Sequence, residues 1–277
     1  MYKRQAPGAV ILGEHLKTTA GATLPSDGLE DAYERLSRDV ATSLPAGSSA
    51  GGEQAKFLAH LGDDRHVLVK FSPPRGTPFG DRWTDLLHAE ALALQVLEQV
   101  GFAVARSRVV TGPVRSFLES ERFDRKIGGG RLHVVALDAV HDAFVPGPRQ
   151  HWAASCEALA DQRRLSREDA ERVRQQLFFG RLIGNTDMHF GNLGLWVDDL
   201  ARGRFRLAPV YDMLPMRYRP DAGTGLLDLT PFEPDVLALG SVARSWAKGF
   251  WERVSADPSF SPDFRALART LETRLVG

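Results

Sequence analysis

The chain has 277 residues, 43% of them hydrophobic and 25% charged, the composition of an ordinary globular protein able to bury a sizeable core in one large domain or two lobes. Its 35 basic and 35 acidic residues cancel, so no global field marks it as a binder of nucleic acid or of a charged membrane surface. The single cysteine, Cys156, excludes an intramolecular disulfide and a cysteine-rich metal site, which suits a reducing compartment such as the cytoplasm, and no apolar run approaches the roughly 20 residues of a membrane helix.

Taken in order, "GAVILG" near the start has a short buried-strand pattern with nothing ahead of it to pair with. Residues 27–44 show helical periodicity through Leu29, Ala32, Tyr33, Leu36 and Val40, with Asp27 as the candidate N-cap. A loop rich in glycine and serine, "PAGSSAGGEQAKF", then enters a hairpin made of "KFLAHL", a "GDD" turn and "HVLVKFS". After the proline-rich connection "SPPRGTPFGD", a helix is predicted over 82–100, bearing Leu86, Leu87, Ala91, Leu94 and Leu97 and closed by Gly101. Three strands follow to residue 137, the last two expected to join across the glycine triplet, so that residues 46–137 read as a sheet with one inserted helix.

Beyond residue 138 the character becomes helical. Ser166 with Asp169 forms a capping box, Val173, Leu177, Phe178 and Leu182 supply the apolar stripe, and Gly184 stops the helix. "LGLWV" and "RFRLA" make a second hairpin, and the remainder reads as helix around 236–251 and 263–276. The expected class is α+β, a mixed sheet lobe followed by a mainly helical lobe.

The stretch "GNTDMHFGNLGLW" clusters acid, amide and imidazole. The second hairpin is antiparallel, so residues entering its first strand lie beside those leaving its second, and Asp187 and Asn192 should face Asp212. Two carboxylates and an amide oxygen form a hard oxygen site suited to Mg²⁺ carrying phosphates, and a carboxylate off the metal can accept a proton from an attacking hydroxyl. A plainer reading has Asn185, Thr186 and Asp187 capping the helix end and Asp212 in a turn before Pro215. His189 either orients Asp187, lines a nucleotide pocket, or is satisfied within its own loop.

Only six of the 35 basic residues are lysines, so Lys70 in the apolar strand "HVLVKFS" stands out as a phosphate ligand. Glu90, inside an otherwise apolar helix, could pair with it; the bland alternative is that both face water. The loop holding Gly51 and Gly52 has the composition, though not the pattern, of a phosphate-covering loop. Its place in the order is informative: glycine-rich loop, strand lysine, helix glutamate, edge strand, helical lobe, Asp-x-x-x-x-Asn, hairpin and Asp follow one another as the parts of a bilobal kinase do.

"GNTDMHFGN" followed by "LAPVYDMLP", with "ESERFDR" and "SSAGGEQAKF" upstream, resembles the HipA family of serine/threonine kinases, the toxin halves of type II toxin–antitoxin systems, from about residue 46 onward. The resemblance implies a bilobal protein-kinase-like fold, with residues 1–45 a remnant of an N-terminal subdomain, 46–137 a nucleotide-binding sheet lobe and 138–277 a helical catalytic lobe. It implies ATP and Mg²⁺ as cofactors, Asp187 as catalytic base, Asn192 and Asp212 as metal ligands, and Lys70 as the phosphate-binding lysine with Glu90 as its helix partner. "ESERFDR" would be the hinge, where the backbones of Glu121 and Phe123 hold adenine and Asp124 reaches the ribose, with His189 beside the nucleotide. Ser48 or Ser49 matches a regulatory phosphoserine position. Expected partners are a protein substrate with a serine or threonine acceptor and an antitoxin, with neither direct nucleic-acid nor membrane binding evident. Two departures are Gly191, where many members carry lysine, and the short segment ahead of the loop. A lipid kinase using the same site and a nucleotide-binding scaffold without turnover are the competing expectations.

Overall fold

Two sheets and the helix between them organise the chain. This computed structural model describes residues 23–24, 27–43, 54–127, 129–221 and 223–276. The first sheet has the order β1-β2-β3-β5-β4, from β1 (Thr23–Leu24), β2 (Lys56–Leu61), β3 (His66–Phe71), β4 (Ser107–Thr111) and β5 (Ser116–Glu121). The hairpin β2–β3 forms as expected, with Lys56 opposite Lys70, and β5 sets Leu118 beside Lys70.

Strand alternation sorts the two faces of this sheet. Val67, Val69, Phe71 and Phe117 pack under α1 (Leu29–Ser43), against Leu29, Ala32 and Tyr33. Tyr33 is fully buried, and its hydroxyl donates to Glu119 at 2.8 Å. The Glu34 carboxylate accepts the amides of Val114 and Arg115 at 3.3 Å. The described part of the N-terminal segment is thus built into the sheet's back. Tyr33→Ala is expected to cost about 3–5 kcal/mol, as for other fully buried aromatics, read as a lowered denaturant midpoint at unchanged slope.

The opposite face meets α2 (Pro78–Gln99), which begins four residues earlier than the sequence pattern suggests. Thr77 is its N-cap, with Oγ1 accepting the Gly80 amide at 3.0 Å, and Pro78 sits at the first helical position, where its missing N–H is harmless. Buried residues surround this helix, from Trp83 and Asp85 through Glu90 to Leu97, because it is sandwiched between the lobes. Leu87 and Ala91 pack on Leu118, whereas Ala89, Ala93 and Leu97 join the core of the helical lobe.

The strand after the glycine triplet, β6 (Val134–Ala136), does not extend the first sheet as expected. It pairs antiparallel with β7 (Gly194–Asp199), Val134 opposite Trp196, in a second sheet of order β6-β7-β8 completed by β8 (Arg204–Leu207). The reason is that β3 and β4 already occupy both edges of β5, the strand it was expected to pair with.

The helical lobe comprises α3 (Leu137–Phe144), α4 (Trp152–Asp161), α5 (Arg167–Leu182), α6 (Val236–Leu239), α7 (Ala243–Ala256) and α8 (Pro262–Arg274) around Trp152, Phe179, Phe250, Trp251 and Phe264. Ser166 caps α5 through the Asp169 amide at 2.9 Å, as predicted, and the helix expected over 236–251 is broken after Leu239. Among the described residues no helix is long and apolar enough to cross a membrane.

Candidate active site

The loop that follows α5 is shaped by its own amides. Gly184 turns the chain out of the helix at φ +76°, a left-handed conformation that favours glycine. Asn185 then accepts the Asp187 amide on its side-chain oxygen at 3.0 Å, an Asx turn that aims Asp187 away from the helix end. Asn192 closes the loop by donating from its amide nitrogen to the Asp187 carbonyl at 2.9 Å, which leaves its amide oxygen as the acceptor. Among the described residues no group hydrogen-bonds the half-buried Asp187 carboxylate. His189 is satisfied within the loop: its Nδ1 accepts the Gly191 amide at 3.1 Å, and its carbonyl accepts the Trp152 indole N–H at 3.0 Å. It therefore does not orient Asp187. At Gly191 a Cβ would come within 3.0 Å of the His189 ring, which gives this glycine a local reason to be there.

Asp212 arrives from the far side of the β7–β8 hairpin. Two contacts hold its segment to the Asp187 loop: the Tyr211 hydroxyl donates to the Gly191 carbonyl at 2.9 Å, and the Asn185 amide nitrogen lies 3.4 Å from the Asp212 carbonyl. Asp212 itself has φ +57°, rare for a residue with a side chain and a frequent mark of functional loops. Sequence reading treats Asn185 only as a helix-end cap and gives Tyr211 and Trp152 no role. The Asx spacing of Asn185 to Asp187 is the one signal that could have found any of them.

From the sheet lobe, Lys70 Nζ donates to Glu90 Oε1 and Oε2 at 2.8 and 2.6 Å and to Asp212 Oδ1 at 2.6 Å. Burial works against the charged ammonium, but Asp212 and Glu90 outweigh it and hold Lys70 well above its ordinary pKa. Burial pushes Glu90 up, whereas the Lys70 charge overcomes burial at Asp212 and holds that carboxyl below its usual range. Two carboxylates share the Lys70 ammonium, and the Lys56 charge on the neighbouring strand adds to its pull on both. Among the described residues no three His, Cys, Asp or Glu side chains gather to hold an ion by themselves. By their chemistry, a carboxylate at Asp212 and an amide oxygen at Asn192 are hard donors that would suit Mg²⁺ taking its remaining ligands from phosphates and water.

In the stretch "ESERFDR", the Glu121 amide donates to the Arg106 carbonyl and the Arg122 amide to the His66 carbonyl, both at 2.8 Å. The Phe123 ring packs against Trp196 and Tyr211, with centroids 5.5 and 6.0 Å away. Asp124 departs from the expected ribose role. Arg122 grips both its oxygens, at 2.9 and 2.6 Å, and Arg125 adds a further bond, so this carboxylate braces the turn. Burial raises its pKa, but the two guanidinium groups outweigh that and hold it low. Gly51, Gly52, Ser48 and Ser49 lie outside the described residues. A groove of about 760 Å³ between the α4–α5 turn and the β7–β8 hairpin, lined by Asp161, Arg167, Asp198 and Arg204 among others, contains none of the groups described above.

Residues 48–272 match the family model described as the HipA-like C-terminal domain. The chain belongs to that family. HipA-like membership is supported by 38% identity over 262 residues to the protein called Toxin YjjJ of Escherichia coli strain K12, covering 92% of this chain and 58% of that protein. The chain therefore spans little more than half the length of this curated relative. Among solved structures, the HipA-like chain is similar to one from Shewanella oneidensis MR-1 described as a toxin–antitoxin system of HipA, HipB and operator DNA, with TM-score 0.58 and 18% identity over 97% of this chain and 74% of that one. It is also similar to the Helicobacter pylori proinflammatory kinase CtkA, with TM-score 0.52 and 14% identity over 80% of this chain and 87% of that one. At these identities the likeness concerns the fold, which is protein-kinase-like, mixed α+β and bilobal.

Proposed function

We propose that this HipA-like chain is an ATP- and Mg²⁺-dependent kinase that phosphorylates serine or threonine of a protein substrate in the cytoplasm and acts as a toxin kept in check by an antitoxin. The observation that carries the reading is the contact of one buried ammonium with carboxylates from both lobes, Lys70 with Glu90 and with Asp212, each at 2.6 Å. A neutral fold has no need of a lysine there, since burying charge is costly unless something is gained from it.

In this reading Lys70, held by Glu90, exchanges its contact with Asp212 for the nucleotide's phosphates. Asp212 and Asn192 hold Mg²⁺, which supplies charge neutralisation for the phosphate oxygens. The carboxylate of Asp187, unengaged by other side chains, accepts the proton of the attacking hydroxyl. With the Glu121 amide already committed to Arg106, its carbonyl and the Phe123 backbone are the groups left for adenine. His189 acts through the loop it caps. The amides of Gly51 and Gly52 would cover the phosphates, and a phosphate on Ser48 or Ser49 would repel those of ATP and expel the loop. The Shewanella relative, found with HipB and operator DNA, is the basis for proposing an antitoxin partner.

The test is thermal denaturation with ATP, with and without Mg²⁺, together with transfer of labelled γ-phosphate into a cell extract. Saturating Mg·ATP at about one hundred times Kd should add about 2.7 kcal/mol of stability, more than ATP alone, and label should appear on protein serine or threonine. Equal shifts with and without Mg²⁺, or label confined to lipid, would contradict the reading.

A further inference from the structure

Asp85 lies inside α2, one and a half turns before Glu90, and is 1% exposed. Its Oδ1 accepts the Ser261 amide at 2.7 Å and its Oδ2 accepts the Ser261 hydroxyl at 2.6 Å, so it grips the N-cap of α8 in the helical lobe. Arg82, 2% exposed, donates to the same Oδ2 at 3.3 Å and lays its guanidinium 4.7 Å from the centre of the Phe264 ring. Beside them Trp83 and Leu86 pack on Leu214 and Met216, just after Asp212. The far end of the helix is fastened too: Arg253 donates to the Gln99 side chain at 2.6 Å, and Arg172 to the Gly101 carbonyl at 3.0 Å.

The placement is not explained by helix electrostatics, because Asp85 lies beyond the first turn, where the macrodipole has faded. Nor is it an economical way to stabilise a core, since apolar side chains of similar volume usually serve as well or better than a buried ion cluster. What a two-bond grip on one residue of another helix adds is a fixed register. Five residues along the helix, about 7.5 Å, that register decides whether the Glu90 carboxylate meets Lys70.

We propose that Asp85 is a positioning residue for Lys70: through Ser261 it holds α2 against the helical lobe, so that Glu90 keeps the phosphate-binding ammonium aimed before any nucleotide arrives. Its bearing on catalysis rests on the kinase reading above.

The test needs no ATP. Acylation of each lysine by an amine-reactive ester, followed by mass spectrometry, reads how firmly Lys70 is held, with Lys126 and Lys248 as internal references. Asp85→Ala should open the buried Lys70 to the ester, speeding its acylation several-fold as its contact with Glu90 loosens, and leave Lys126 and Lys248 unchanged. Asp85→Asn gives up the Arg82 bond but keeps both bonds to Ser261, its amide accepting from the Ser261 amide and donating to the hydroxyl, so Lys70 should stay within about twofold of wild type. Ser261→Ala, which removes one of the two bonds to Asp85 together with the side-chain cap of α8, should shift Lys70 in the same direction by less, and carries the test should Asp85→Ala not fold. Lys70 unchanged in the folded variants, or all three lysines accelerated together, would overturn the proposal. Mg·ATP titrations run alongside keep the two ideas apart: failure of the wild type to bind sinks the kinase reading, whereas Lys70 acylation still decides the role of Asp85.

Discussion

Asp187→Asn is expected to lower phosphate transfer by about 10²–10⁴-fold, the usual worth of a positioned general base, while the protein stays folded. The second half follows from the loop's construction. What fixes the loop is the Asp187 backbone, whose amide donates to Asn185 and whose carbonyl accepts from Asn192, and both bonds survive the change. With no described group bonded to the carboxylate, an isosteric amide leaves nothing unpaired, so stability should move by no more than about 0.5 kcal/mol. Single-turnover transfer of labelled γ-phosphate, with a denaturation curve on the same sample, measures both. Undiminished transfer would remove Asp187 from the chemistry.

Lys70→Met is expected to abolish transfer and also to destabilise the fold by about 3–5 kcal/mol, the usual cost of removing one partner from a buried pair. Glu90, 2% exposed, would lose the ammonium bonded to both its oxygens, in an environment that already raises its pKa through burial. The sign of the pH dependence follows. A carboxyl whose folded pKa lies above its unfolded value binds more protons when folded, so the variant loses stability as pH rises from the unfolded value, about 4.3, through the folded one. In the wild type the Lys70 charge opposes that rise of the Glu90 pKa, so the same loss with rising pH is smaller there. The gap in denaturant midpoint between variant and wild type should therefore narrow on going from pH 8 to pH 5. A gap that is constant or widens toward acid would mean that Glu90 does not depend on Lys70.

What could be read from residues alone was the chemistry that local rules determine. Strand alternation points Lys70 away from the face of Val69 and Phe71, and hairpin geometry returns the Asp212 segment to the loop that holds Asp187, because both rest on short-range backbone regularities. The parts that escaped depend on which neighbour is free. β6 has the pattern of a further strand after β5, but only the whole sheet reveals that β5 has no edge to offer. α2 starts ahead of its apolar periodicity because the proline after threonine, a turn signal by composition, is also a favoured first helical residue. Asp124 in "RFDR" presents a carboxylate suited to a ribose, yet its two arginine neighbours claim it first. Asp85 and Ser261, 176 residues apart in sequence, have no signature that spacing could reveal.

The central claim is that Asn192 and Asp212 hold a divalent ion against phosphates that Lys70 also grips, with Asp187 facing the same point. Its most direct test is a crystal structure of the protein grown with Mn²⁺ and a non-hydrolysable ATP analogue, with anomalous scattering to locate the metal. The account predicts a manganese peak between the Asn192 and Asp212 side-chain oxygens, Lys70 Nζ turned from Asp212 to the phosphates and still on Glu90, and the terminal phosphate facing Asp187. Manganese bound elsewhere, or a nucleotide seated away from Lys70, would contradict it.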